Sequence, residues 1–123
     1  MINVIFDFES LGLNENSVLL SLGVLAFDPS DYDIAGDGVE TTFNKLLQQG
    51  LYVKLDAKDQ MRTYNRHINK STLLWWTEQN EEAGQVLKRC DNDVKLPDME
   101  TLLKEYLEMN GVTRNTPVWS RGY

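Results

Sequence analysis

The sequence has few of the residues that clamp small folds together: one cysteine, one histidine and three prolines among 123 residues. A single thiol, Cys90, excludes an internal disulfide framework and suits a reducing, cytoplasmic compartment. It follows Lys88 and Arg89 in a polar stretch with no catalytic partner pattern beside it, and reads as structural. Positive charge is also scarce, with 12 Lys and Arg against 19 Asp and Glu, a formal net charge of −7. That balance argues against broad basic affinity for nucleic acid. It leaves room for an enzyme in which divalent metal ions bring the positive charge to a phosphate. No apolar run approaches the roughly 18 residues of a membrane span. The first residues lack the basic start and small-residue cleavage site of a secretory signal. Internal repeats and low-complexity linkers are missing too. What remains, 41% hydrophobic and 25% charged, is an ordinary globular composition. Residues 1–123 read as a single domain with one core.

Two apolar runs dominate the first quarter. Ile2 to Phe8 and Val18 to Phe27 read as strands covered on both faces. The segment between them, Ser10 to Asn16, has the Gly and Asn content of a turn, and so short a link favours an antiparallel return. Asp28 to Glu40 is acidic and rich in Gly and Asp, as in a solvated loop. The runs TTFNKLL and LYVKL then suggest a third strand with an extension or edge strand. Beyond them the pattern changes to helical spacing. Asn69 or Ser71 can cap a helix through STLLWWTEQ, and Asn80 with Glu81 and Glu82 opens another. LPDMETLLKEYLEMNG is the clearest helix. Pro97 and Asp98 suit its first turn, Met99, Leu102, Leu103 and Tyr106 make its apolar face, and Gly111 stops it. TPVWSRGY is a last strand candidate, placed so that its outer side lacks a partner. The fold class expected is α/β: three antiparallel strands, then helices and a further strand.

Within the first run, Asp7 and Glu9 interrupt apolar residues two positions apart. On a strand, positions i and i+2 share a face, so the two carboxylates project side by side. Such a pair, if buried and unpaired, costs several kcal/mol, and one member would take up a proton. A divalent cation removes that penalty, and hard oxygen ligands suit Mg²⁺ or Mn²⁺. A two-metal arrangement of this kind activates water and orients a phosphodiester. The plainer alternative is that both heads lie in solvent where the strand leaves the core.

The stretch DFESLG followed by VLLSLGVLAFDP resembles the first motif of the DEDD, or DnaQ-like, 3′–5′ exonucleases, which have a ribonuclease-H-like fold with a mixed sheet. NKSTLLWWTEQNEEA and VWSRG are similar to one subgroup, the exonuclease A proteins of T-even-type phages. The similarity runs in order along nearly the whole chain. It implies Asp7 and Glu9 as catalytic metal ligands of a two-metal Mg²⁺ or Mn²⁺ site. It also implies that Ser10, Leu11 and Gly12 lie against the terminal nucleotide of the substrate. The substrate implied is single-stranded DNA, with RNA as the alternative, cleaved to nucleoside 5′-monophosphates in the host cytoplasm if the gene is phage-borne.

The family carries four metal-binding acids and a base. The third acid follows the strand matching VWSRG, and the base and last Asp lie on a later helix. The resemblance therefore marks this chain as the N-terminal portion of an exonuclease domain, weak or inactive alone, or a non-catalytic binding or regulatory module. Asp56, Asp59, Asp98 and Glu100 show no spacing that singles them out as replacements. His67 stands in the wrong place for the catalytic histidine and reads as surface packing or substrate contact. Trp75 and Trp76 point about 100° apart on a helix, so at most one can serve a stacking face, and core packing is the plainer use of both. Lys70 and Ser71 at a helix start read as ordinary capping before phosphate binding. Arg114 and Arg121 are candidate backbone contacts, Trp119 is expected under the sheet, and the exposed final strand offers a route to self-association.

Overall fold

The computed structural model describes residues 1–120. Four strands form one mixed sheet in the order β3-β2-β1-β4. They are β1 (Asn3–Ser10), β2 (Leu19–Phe27), β3 (Leu51–Lys54) and β4 (Val118–Ser120). β4 pairs in parallel with β1, with Val4 opposite Val118, Ile5 opposite Trp119 and Phe6 opposite Ser120. Among the described residues six α-helices accompany them: α1 (Ile34–Asp37), α2 (Val39–Gln49), α3 (Ala57–Tyr64), α4 (Lys70–Thr77), α5 (Glu81–Gly84) and α6 (Leu96–Met109). The α/β class and the mixed sheet agree with the sequence reading.

Several local signals act as expected. Asn69 caps α4 by accepting from the Thr72 N–H, and Asn80 caps α5 by accepting from Ala83. Gly111 ends α6 with φ of 71°, in the left-handed region where a Cβ is costly. Val112 N–H then donates to the Leu107 carbonyl at 3.0 Å, the closing bond of a Schellman turn. The apolar face of α6 is rotated from expectation. Leu103, Tyr106 and Leu107 pack on the core, whereas Leu102 is exposed.

The TTFNKLL segment is helical rather than extended. Val39, Phe43, Leu46 and Leu47 recur at i, i+4, i+7 and i+8, a helical spacing that outweighs the strand preference of adjacent threonines. Asp28 to Glu40 is likewise more ordered than a plain loop. Asp28 accepts from Ser30 to cap a 3₁₀ turn, and Asp33 accepts from Gly36 to cap α1. Two of the acidic residues there, Asp28 and Asp33, are helix caps, a use that composition alone does not reveal.

Contacts divide the chain into two compact units, both drawing on β1, β2 and α6. The first comprises residues 1–7, 23–52 and 101–123, the second residues 8–22 and 53–100. In the first unit Val4, Val24 and Ala26 form the buried cluster, with Phe6, Leu51, Leu103 and Tyr106 against it. The Tyr106 hydroxyl donates to the Gln49 carbonyl at 2.7 Å and accepts from the Ala26 N–H at 2.8 Å. In the second unit the cluster is Leu11, Val18, Leu20 and Trp76, with Leu73, Val86 and Leu87 packed on it.

Candidate functional site

Asp7 and Glu9 both lie on β1, two positions apart, and so share one face of that strand. Val4 and Phe6, in the opposite sense, belong to the core. Asp7 is exposed and Glu9 is partly so. Their charges are therefore not stranded in the interior, and desolvation does not by itself demand a cation. What the structure supplies is two carboxylates two positions apart on one strand. As hard oxygen donors they fit Mg²⁺ or Mn²⁺ rather than a soft-ligand metal. Among the described residues no group of three or more His, Cys, Asp or Glu side chains is placed to hold a metal ion.

The residues after Glu9 are tightly held. Ser10 donates its hydroxyl to the Gly12 carbonyl at 2.6 Å, and its own carbonyl accepts from the Trp76 indole N–H at 3.0 Å. Leu11 donates its N–H to Val18 at 2.8 Å and accepts from the Asn69 N–H at 2.7 Å. With its side chain buried in the core cluster, Leu11 is committed to packing in all three directions. A Cβ at Gly12 would collide with the Ser17 hydroxyl and lie 2.9 Å from its Cβ. Glycine is required there by the chain's own close approach, whatever else it faces. The side chain that does reach outward is the next one, Leu13, 95% exposed. Reading the sequence missed it, because one leucine in a turn resembles any other. Its signal is position, four residues past Glu9 in the turn that follows β1.

The first unit also carries an open apolar groove of about 450 Å³, whose lining includes Ile5, Asp7, Leu25, Phe43, Leu47 and Tyr52. Phe43, Leu47 and Tyr52 are each more than half exposed. Trp119, opposite Ile5 in the register, is 61% exposed and donates its indole N–H to Asn3 at 3.0 Å. It does not pack under the sheet. No described element of the first unit covers that face of β4, all three of whose residues are exposed.

Other candidates resolve into local structure. Asp56 caps α3 by accepting from Asp59 at 2.9 Å, and Asp59 in turn accepts from Thr63. His67 is exposed, and its backbone bridges to residues 16–18. Cys90 is exposed in a turn, its N–H donating to the Asp93 carboxylate at 3.0 Å. Lys70 begins α4, whose cap is Asn69. Arg114 is exposed, and Arg121 lies outside the described residues.

Comparison with known proteins places the chain in a family. The family described as the 3′-5′ exoribonuclease Rv2179c-like domain matches residues 2–123. A protein of Enterobacteria phage T4 named exodeoxyribonuclease is 32% identical over 123 residues, 99% of this chain and 51% of its own length. The chain thus spans about half the length of that curated relative. With its acid pair on the first strand of a mixed α/β sheet and a family match from residue 2 to residue 123, this chain belongs to the DnaQ-like 3′-5′ exonucleases, in the Rv2179c-like family.

Proposed function

We propose that the chain is the acid-pair-bearing part of a metal-dependent 3′–5′ exonuclease that hydrolyses terminal phosphodiesters of single-stranded DNA. The observation that carries the reading is the shared face of Asp7 and Glu9 on β1, in a chain matched end to end by an exonuclease family. Asp7 and Glu9 would hold one or two Mg²⁺ or Mn²⁺ ions. Such an ion, when bound, neutralises phosphate charge and lowers the pKa of a coordinated water. The chain's own part is positional. The hydrogen bonds of Ser10 and Leu11 fix the strand end on which Glu9 sits, so the carboxylate does not have to be ordered when a ligand arrives. Ser10 and Gly12 flank the strand end where a terminal nucleotide would lie. Leu13 offers apolar contact to its base, and Leu11 acts from beneath by packing.

DNA is favoured over RNA because the T4 relative is named an exodeoxyribonuclease, although the family description names an exoribonuclease. A second reading is a nucleic-acid-binding module without activity of its own. It is favoured by the lack, among the described residues, of a third acid beside the pair. Hydrolysis by this chain alone should accordingly be weak. The free thiol suits host cytoplasm, and the outer edge of β4 offers a surface for self-association.

Mn²⁺ titration by calorimetry tests the acid pair. We expect uptake in the native chain and its loss in Asp7→Ala and in Glu9→Ala. Absence of uptake at millimolar Mn²⁺ sinks the proposal. Labelled single-stranded DNA and RNA of one sequence, with Mg²⁺ or with chelator, then separate substrate and activity. Vigorous chelator-sensitive hydrolysis by the 123-residue chain would show that the pair needs no further acid.

A further inference from the structure

The helix α4 carries adjacent tryptophans in opposite situations. Trp76 is 8% exposed and lies in the second unit's core, whereas Trp75 is 53% exposed. The 100° step between neighbours on a helix forces this division. Their rings meet edge to face, centroids 5.0 Å apart at 82°. That geometry braces Trp75 against a buried partner while leaving much of its ring to solvent. The Trp75 carbonyl accepts from the Gln79 side chain at 2.9 Å, which steadies the last turn of the helix.

α4 is also tied twice to the segment that follows Glu9. Asn69 donates its N–H to the Leu11 carbonyl at 2.7 Å, and Trp76 donates its indole N–H to the Ser10 carbonyl at 3.0 Å. These bonds hold both ends of the helix to residues 10–11. Trp75 is therefore positioned, through Trp76, relative to the strand end where the terminal nucleotide is proposed to lie. Trp75 buries only about half its surface, so folding draws less from it than from Trp76.

We propose that Trp75 is a stacking platform for a nucleobase of the single-stranded substrate, with Trp76 as its positioning residue. The inference rests on the nuclease reading above and extends it to how the strand is gripped. Net charge favours this mode of contact. A chain of net charge −7 has little to offer a phosphate backbone at long range, whereas stacking needs no cation and tolerates any base. Leu74, exposed beside Trp75, extends the apolar surface.

The test is fluorescence anisotropy of a labelled ten-nucleotide oligothymidylate in chelator, which prevents hydrolysis. The native chain is compared with Trp75→Ala and Trp75→Phe. Base stacking of this kind corresponds to a weakening of roughly 5- to 150-fold for Trp75→Ala, with Trp75→Phe retaining most of the affinity. An abasic oligomer of equal length should bind the native chain as weakly as the thymidylate binds Trp75→Ala. Circular dichroism and the urea midpoint establish that each variant is folded, and Trp75→Gln serves if the alanine variant is not. Equal affinity of native and Trp75→Ala chains for the thymidylate overturns the platform and leaves the metal site standing. Unchanged DNA affinity together with loss of a native dimer on sedimentation overturns it in favour of a protein interface. A native chain that binds neither oligomer nor Mn²⁺ overturns both readings, whereas Mn²⁺ uptake without oligomer binding overturns this one alone.

Discussion

The two compact units close their interiors by different means. In the second, polar side chains do the work of missing strand neighbours. Gln60 is fully buried, its amide accepting from the Leu19 N–H at 2.8 Å and donating to the Leu19 carbonyl at 2.7 Å. A single glutamine thereby imitates both bonds of a ladder partner. Arg66 donates to the carbonyls of Ser17 and Glu15, and Lys54 meets Asp93 at 2.7 Å with both side chains largely covered. The first unit relies on apolar packing around Val4, Val24 and Ala26, with the Tyr106 hydroxyl tying Gln49 to Ala26 beside it. It then leaves Phe43, Leu47, Tyr52 and Trp119 in solvent. Loop-rich regions need specific hydrogen bonds to satisfy buried backbone, whereas a sheet satisfies its own and can carry surplus apolar surface.

The contrast is most directly broken at Trp76. Trp76→Ala should lower the unfolding free energy by about 3–5 kcal/mol, read from urea melts followed by circular dichroism. A loss under about 1 kcal/mol would mean that the second unit's core does not depend on it. Gln60→Leu comes next, expected at about 2–3 kcal/mol because Leu19 loses partners for both its N–H and its carbonyl. If the leucine variant is as stable as native, the glutamine is not acting as a strand surrogate.

The first unit should answer oppositely. Leu47→Lys is expected to change stability by no more than about 0.5 kcal/mol while reducing binding of a hydrophobic dye such as ANS. A large destabilisation would show that the groove is already covered in solution. The smallest effect concerns Asp28, which accepts from the Ser30 hydroxyl and N–H and pairs with the Met1 ammonium at 3.0 Å. These contacts lower its pKa from 3.8 to about 2, the Ser30 hydroxyl bond first among the causes. A depressed folded-state pKa gives stability that is present above 3.8 and is lost as pH falls towards 2. Asp28→Asn should remove that acid-range slope and leave stability near pH 7 only slightly reduced. An unchanged slope would assign it to other carboxylates.

Much of this could be read from the chain, and the failures share a cause. β1, β2, the Asn69 and Asn80 caps and the Gly111 stop depend on neighbours within a few residues, and all stand where the pattern put them. The shared face of Asp7 and Glu9 is equally local, a consequence of the two-residue strand repeat. In α2, Thr41, Thr42 and Phe43 favour extended backbone and suggest a strand, while the spacing of Val39, Phe43, Leu46 and Leu47 points to a helix. There periodicity, summed over three turns, prevails over propensity.

Local pattern alone determined the strand run, its paired acids and the helix ends, because capping and alternation involve residues close in sequence. Only the tertiary structure decided which tryptophan of α4 faces solvent, that Gly12 makes room for Ser17, that Leu11 is packing and Leu13 is surface, and that Trp119 stands uncovered. Each of those outcomes turns on what another part of the chain, distant in sequence for most of them, brings against the residue. Burial is a property of that meeting and not of the residue's own neighbours in the chain.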